Sequence, residues 1–391
     1  MTSLKTRIKR CSYSSAGGFD LARREPLFRT PALMPGLRTH AARRRILMRF
    51  ARVCVVAMIG AGLASGCASP ARPIFEEPSQ TFAWPPPPKP ARIRYVGQLT
   101  GSADLKPARS GLEKLGALLV GKKEPDLLYG PRAVVCTPDG QRVWIADPGG
   151  RCLHLFDLER RKYLKITKAG DAHLLTPVGV CLGPPGSIYV CDSEAAAVFE
   201  LSDRDGTQVA ALHLPEEVDR PAAVYYDSAT GEVYVVDVTA HNIKVLDTDG
   251  SLRRMIGRRG AEPGEFNFPT AIAADDKNLW IADSGNHRVQ AIDRAGEPVA
   301  TFSQAGDAPG DLALPKSVAI DSTGHVYVVD GRFENVQIFD SEGRLLLFFG
   351  EEGTGPGEFW LPGGIFIEPT GRIWVCDSYN RRVQVFQYAQ E

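Results

Sequence analysis

The amino-acid sequence predicts an all-β repeat fold, and three observations predict it. A similar unit recurs six times, opening at Pro131, Pro177, Pro221, Pro269, Pro315 and Pro362. Each unit alternates apolar β-formers with clusters of Gly, Asp, Asn and Pro, as in "NLWIAD", "RVQAID" and "EPVATF", a pattern of short antiparallel strands joined by tight turns. An aspartate returns at one register, Asp147, Asp192, Asp237, Asp283, Asp330 and Asp377, with separations of 45, 45, 46, 47 and 47 residues. Four strands per unit of this length suit a propeller blade better than a helical solenoid.

The segments that lead into the later units carry their own signature: "GAEPGEFNFP", "GDAPGDLALP" and "GTGPGEFWLP". Together with "DSGNHRVQ" and "DSYNRRVQ" they resemble the NHL repeat from Ile93 to Gln387, most sharply in units four to six. The resemblance implies a six-bladed β-propeller of four-stranded blades over residues 91–391.

A ring has to pair its first and last blades or leave strand edges exposed. Unit six ends on its third strand, "VQVFQY", while "RIRYVGQLTG" at Arg92–Gly101 has the alternation and terminal glycine of an outer strand, like "RLLLFFG" at Arg344–Gly350. The N-terminal strand is therefore expected to complete the last blade. Residues Ser102–Gly130 do not repeat. Leu112, Leu115, Leu118 and Leu119 fall at helical spacing before Lys122 and Lys123, predicting a short amphipathic helix that packs on the propeller or docks on a membrane or partner.

The formal charge of zero hides a segregation. Residues Met1–Arg52 hold thirteen of the 46 Lys and Arg and only Asp20 and Glu25 of the 46 acids, leaving 33 basic and 44 acidic residues beyond. An acidic body is a poor match for phosphate backbones, which argues against nucleic acid as a partner. Residues 1–47 read as a basic extension, or as sequence upstream of a true start at Met48. "MRFARVCVVAMIGAGLASGCASP", Met48–Pro70, has Arg49 and Arg52 before an uncharged run and then small residues. It resembles a bacterial lipoprotein signal over 48–67, whose "ASGC" implies lipidation of Cys67 and a periplasm-facing, membrane-anchored chain. Residues 68–90 are Pro-rich and predict an extended spacer. Beyond Cys67 the cysteines are Cys136, Cys152, Cys181, Cys191 and Cys376, an odd number without regular spacing. They read as small buried thiols rather than a disulfide framework or a haem or metal pair.

Repetition separates architecture from site, because a residue demanded by every blade serves the blade. The six aspartates read as turn caps and partners for nearby Arg. Varying residues on the loops that follow the second strand, or lead into each unit, share one face of a propeller. They give Arg151, His241, His287, Arg332, Tyr379, Arg381, His173, Phe268 and Trp360, with Arg132 and Lys316 at the channel mouth. Cations mixed with aromatics suit an anionic or peptide-like ligand. The fold also resembles that of two enzyme classes, which implies as alternatives an amidating lyase with channel histidines around a metal, or a gluconolactonase-like enzyme with channel carboxylates around a divalent cation. His154, His173, His213, His241, His287 and His325 share no register, and Asp275, Asp276 and Glu368 are the carboxylates available. The expectation is a monomeric, lipid-anchored binding module for a protein, peptide or small ligand at the cell envelope, without a required cofactor. A metal-dependent lyase or lactonase with a divalent cation in the channel is the alternative.

Overall fold

The structure is a computed structural model that describes residues 73–75, 80–106, 124–212, 214–215 and 218–389. The signal segment with Cys67, the leucine-rich stretch of the expected helix at 112–119, and His213 lie outside the described residues. Six antiparallel blades follow one another along the chain, five of four strands and the last of four with a fifth added at its edge. Their innermost strands are Ala133–Cys136, Pro177–Leu182, Pro221–Asp227, Pro269–Ala274, Pro315–Ile320 and Pro362–Ile367. Each innermost strand neighbours the next, and the sixth neighbours the first, which closes the ring. Among the described residues the only helical elements are two 3-10 turns, at Ser102–Leu105 and Ser284–Asn286.

The second strands explain the cohesion between blades. One aromatic side chain recurs in each, Trp144, Tyr189, Tyr234, Trp280, Tyr327 and Trp374, and all six are at most 2% exposed. Every one sits in a separate apolar cluster shared by two adjacent blades, as Trp280 does with Val318 and Val326 of the following blade, and Trp374 does with Val134 and Val143 across the closing junction. Burying a side chain of this size stabilises by about 2–3 kcal/mol, so the core is six interfaces rather than one centre.

Closure follows the sequence expectation. Ile93–Leu99 pairs antiparallel with Arg382–Tyr388, from Ile93 opposite Tyr388 to Leu99 opposite Val383, as the outer strand of blade six. One feature departs from that expectation: Ala83–Trp84, inside the Pro-rich segment, adds a fifth strand beside Ile93 and Arg94. The described part of the segment thus lies on the propeller instead of standing off as a spacer. The reason is its aromatic content. Trp84 packs 5.9 Å from the rings of both Phe349 and Phe386, and Phe75 lies 5.9 Å from Trp374. Phe75 covers Gly97, where an added Cβ would fall 2.8 Å from the ring, so the glycine admits the strap.

Candidate functional site

The channel is lined in layers, because alternate residues of each innermost strand face it. Its middle layer is aliphatic all round: Val134, Val180, Val224, Ile272, Val318 and Ile365, none more than 9% exposed. At this level the channel narrows to a cavity of about 90 Å³. Toward one face it widens to about 420 Å³ beside Leu182, Tyr226, Ile320 and Ile367. Toward the other, where Arg132 and Lys316 stand, it opens into a recess of about 480 Å³.

The six aspartates hold up the loops on that second face. All are fully buried. Asp147 accepts hydrogen bonds from the N–H groups of Tyr129 at 2.6 Å and Gly130 at 3.0 Å in its own lead-in segment, and of Gly150 at 2.9 Å in the next turn. Asp192 does the same with Leu175, Thr176 and Ala195, and Asp330 with Ala313, Leu314, Arg332 and Phe333. Burial works to raise the Asp147 carboxyl, but the bonds from His154 and from the Tyr129 and Gly150 N–H groups outweigh it and hold it below the usual carboxylate range. In blades four and six an arginine extends the device. Arg288 donates to Asp283 at 2.8 Å and to the carbonyls of Ala261, Glu262 and Glu265. Arg382 donates to Asp377 at 2.7 Å and to Thr354, Gly355 and Glu358.

Four residues after each aspartate the backbone turns left-handed although the residue is never glycine: Arg151, Ala196, His241, His287, Glu334 and Arg381, with φ from 46° to 56°. Three of these side chains tie their blade to the next. His241 Nδ1 accepts from the Phe268 N–H at 3.0 Å, His287 Nδ1 donates to the Ala313 carbonyl at 2.8 Å, and Glu334 accepts from the Leu361 N–H at 3.3 Å. His241 is only 6% exposed, its ring lies 4.5 Å from that of Phe268, and burial pushes its pKa below the ordinary histidine value. His241 and His287, expected on the ligand face, thus each commit Nδ1 to a contact with the next blade. At the closing junction the same position is Arg381, which is exposed, and its guanidinium forms no hydrogen bond among the described residues.

That junction is where the candidates converge. The recess is lined by Tyr129, Arg132, Lys316, Ser378, Tyr379 and Arg381, among others, and no carboxylate lines it. Tyr129, Tyr379 and Trp360 are 50%, 59% and 49% exposed, and Trp360 lies 5.5 Å from Tyr379, ring to ring. Burial lowers the pKa of Arg132; burial, then the charge of Arg132, lowers that of Lys316, against a raising effect of Asp330. Arg151 and Arg332 are exposed on neighbouring loops but do not line the recess. His173 is exposed in the two-stranded hairpin Lys168–Ala169 with Ala172–His173, also outside the recess. Tyr129 was not singled out from the sequence. Its signal was its register, because Tyr129 and Trp360 both donate their N–H to the aspartate of their unit.

Among the described residues, the carboxylates and histidines named for the enzyme alternatives lie apart from one another. Asp275, Asp276 and Glu368 share a cleft of about 660 Å³ on the opposite face. There Asp275 accepts from Trp280 Nε1 at 2.7 Å and Glu368 from Trp374 Nε1 at 2.7 Å, so these carboxylates cap turns and fix core indoles. His154 is buried between Asp147, 3.1 Å away, and the Tyr163 hydroxyl at 2.7 Å, while His325 is bonded to Asp321 and Thr323. Among the described residues no three His, Cys, Asp or Glu cluster in a way that fits a metal ion. The five cysteines beyond Cys67 are free, and Cys191 pairs with Gly179 across its strands rather than with Cys181.

Fold and repeat together define a six-bladed β-propeller that carries NHL repeats. The NHL repeat family model matches residues 266–292 and 359–386, in the fourth and sixth units. In unit five, Asn335 stands where those two units place Arg288 and Arg382. No curated protein matches the sequence. Among solved structures, a protein of unknown function from Bacteroides thetaiotaomicron is similar with a TM-score of 0.53 and 15% identity, over 67% of this chain and 70% of that one. Virginiamycin B lyase from Staphylococcus aureus is similar with a TM-score of 0.50 and 14% identity, over 67% of this chain and 96% of the lyase. At these identities the likeness is one of fold.

Proposed function

We propose that this chain is a membrane-anchored propeller that binds a protein or small ligand of the cell envelope through the recess formed by blades five, six and one. The observation that carries the reading is the gathering of Arg132, Lys316 and Arg381 with exposed Tyr129 and Tyr379 around one recess, and of exposed Trp360 against Tyr379 beside it. Aromatic and Arg side chains are the residue types that dominate binding energies at interfaces. Below them the channel narrows at the aliphatic ring of Val134, Val180, Val224, Ile272, Val318 and Ile365. The lyase or lactonase reading rests on fold likeness alone, and it predicts stoichiometric metal in the purified protein.

Anchoring rests on the lipoprotein-like segment ending at Cys67. Only five residues separate Cys67 from Pro73, whose carbonyl accepts from Lys106 Nζ at 3.1 Å; six peptide steps span at most about 20 Å. Phe75 lies by Trp374 and the Arg372 guanidinium, near the start of a strand that begins on the face opposite the recess. A lipid on Cys67 therefore holds that opposite face near the membrane and turns the recess toward the periplasm. Two variants test the reading. Cys67→Ser is expected to move the protein from the membrane to the soluble fraction. Trp360→Ala combined with Tyr379→Ala is expected to lose partners that co-purify with the native protein without shifting its melting temperature. Retained partners would overturn the assignment of the recess.

A further inference from the structure

The recess contains a pair of cations that the fold does not neutralise. Neither the Arg132 guanidinium nor the Lys316 ammonium has a hydrogen-bond or ion-pair partner among the described residues. The acid whose charge acts on Lys316 is Asp330, and its carboxylate is already taken by the four N–H groups of Ala313, Leu314, Arg332 and Phe333. Like charges held together and half removed from water destabilise a fold unless an anion joins them.

The surrounding backbone makes room for both side chains. An added Cβ at Gly331 would come within 3.0 Å of Lys316 Cγ. At Gly363 it would come within 3.5 Å of Arg132 Nη1, and at Gly364 within 2.5 Å of the Arg132 carbonyl. Ser378, beside Gly363, gives its hydroxyl hydrogen to the Pro131 carbonyl at 2.7 Å, and so secures the backbone from which Arg132 projects. The floor beneath the pair is the aliphatic ring.

From this geometry we infer that Arg132 and Lys316 form a receptor for a carboxylate carried on an apolar or aromatic group, which enters the channel mouth end-on with its body against Tyr129, Tyr379 and Trp360. The inference rests on the reading of the recess as a binding surface and names what that surface takes. A guanidinium fork and one ammonium supply donors for the two oxygens of a carboxylate. A phosphate brings a third oxygen, and the aliphatic ring beneath the pair offers it no charged partner. The narrow apolar space below accepts a small side group, whereas a bare inorganic anion leaves it empty. The end of a peptide chain and a free aryl or alkyl acid share this chemistry, and the test separates them.

The experiment uses the full chain and follows tryptophan fluorescence and calorimetry with three probes: N-acetylated tetrapeptides ending in an aromatic residue, each as free acid and as C-terminal amide; benzoate; and inorganic phosphate. The free acids are expected to bind at least tenfold more tightly than their amides. Arg132→Met and Lys316→Met are each expected to abolish that preference while the melting temperature stays native or rises, because each removes one of two like charges. Peptide acids binding above benzoate identify a chain terminus as the source, and benzoate binding equally well identifies a small acid. Equal binding of acids and amides, phosphate binding above both, or no binding by any probe overturns the inference. If acids and amides bind equally and Trp360→Ala with Tyr379→Ala still abolishes partner capture, the recess stands as a binding surface and only the carboxylate receptor falls.

Discussion

Asp377, itself fully buried, receives the N–H of Trp360 at 2.8 Å, Asn380 Nδ2 at 2.9 Å, Arg382 Nε at 2.7 Å and Gln384 Nε2 at 3.0 Å. Asp377→Ala leaves Arg382, itself only 6% exposed, with an uncompensated charge. The expected cost is about 3–5 kcal/mol in chemical denaturation, and a loss under 1 kcal/mol would show the cap to be dispensable. A second carboxylate sets a pH limit. Glu232 is held at about 2, chiefly by its hydrogen bonds from Arg254. Its folded pKa lies below its unfolded value, so its contribution is complete above about 4.5. It is lost as the pH falls toward 2. Denaturation midpoints measured from pH 6 to pH 2 are expected to fall in that window, and the fall should be smaller in Arg254→Met. The aspartates were legible from the sequence because they recur. The roles of His241 and His287 were not, since tying one blade to the next requires knowing which loop lies across the junction.

At the level of elements, the closing strand was legible and its neighbour was not. Arg92–Gly101 shows the alternation of an outer strand, whereas Ala83–Trp84 is two residues within a run of prolines, and a polyproline composition hides a strand of that length. What places it is the packing of Trp84 on Phe349 and Phe386, which links blades five and six. Trp84→Ala is expected to cost about 2 kcal/mol, less than a fully buried indole, because the ring is only part-buried. Hydrogen exchange should quicken first in Ile93–Leu99 and Arg382–Tyr388. Unchanged protection there would mean that the strap is not part of the closure. The second-strand aromatics obey the repeat as strictly as the aspartates do, and they mark the inter-blade interfaces on which the ring depends.

Among the described residues, the six blades repeat one pattern around the ring, and the closing junction combines segments from both ends of it. Units of one period specify a ring, and the ring alone is neutral about function. Tyr129, Trp360, Tyr379, Arg132, Lys316 and Arg381 come from three units and from both ends of the propeller sequence, so no local stretch displays them as a group. The sequence separated varying loop residues from repeated ones, and only ring closure shows which of the varying ones share a recess. Photo-crosslinking in the intact envelope tests this account most directly, with a benzophenone amino acid at Tyr379 and, as control, at Asp249, which is exposed on the turn joining the third and outer strands of blade three at the opposite face. The account predicts a discrete crosslinked species from Tyr379 that is lost in Lys316→Met, and none from Asp249. Crosslinks from Asp249 alone, or equally from both positions, would contradict it.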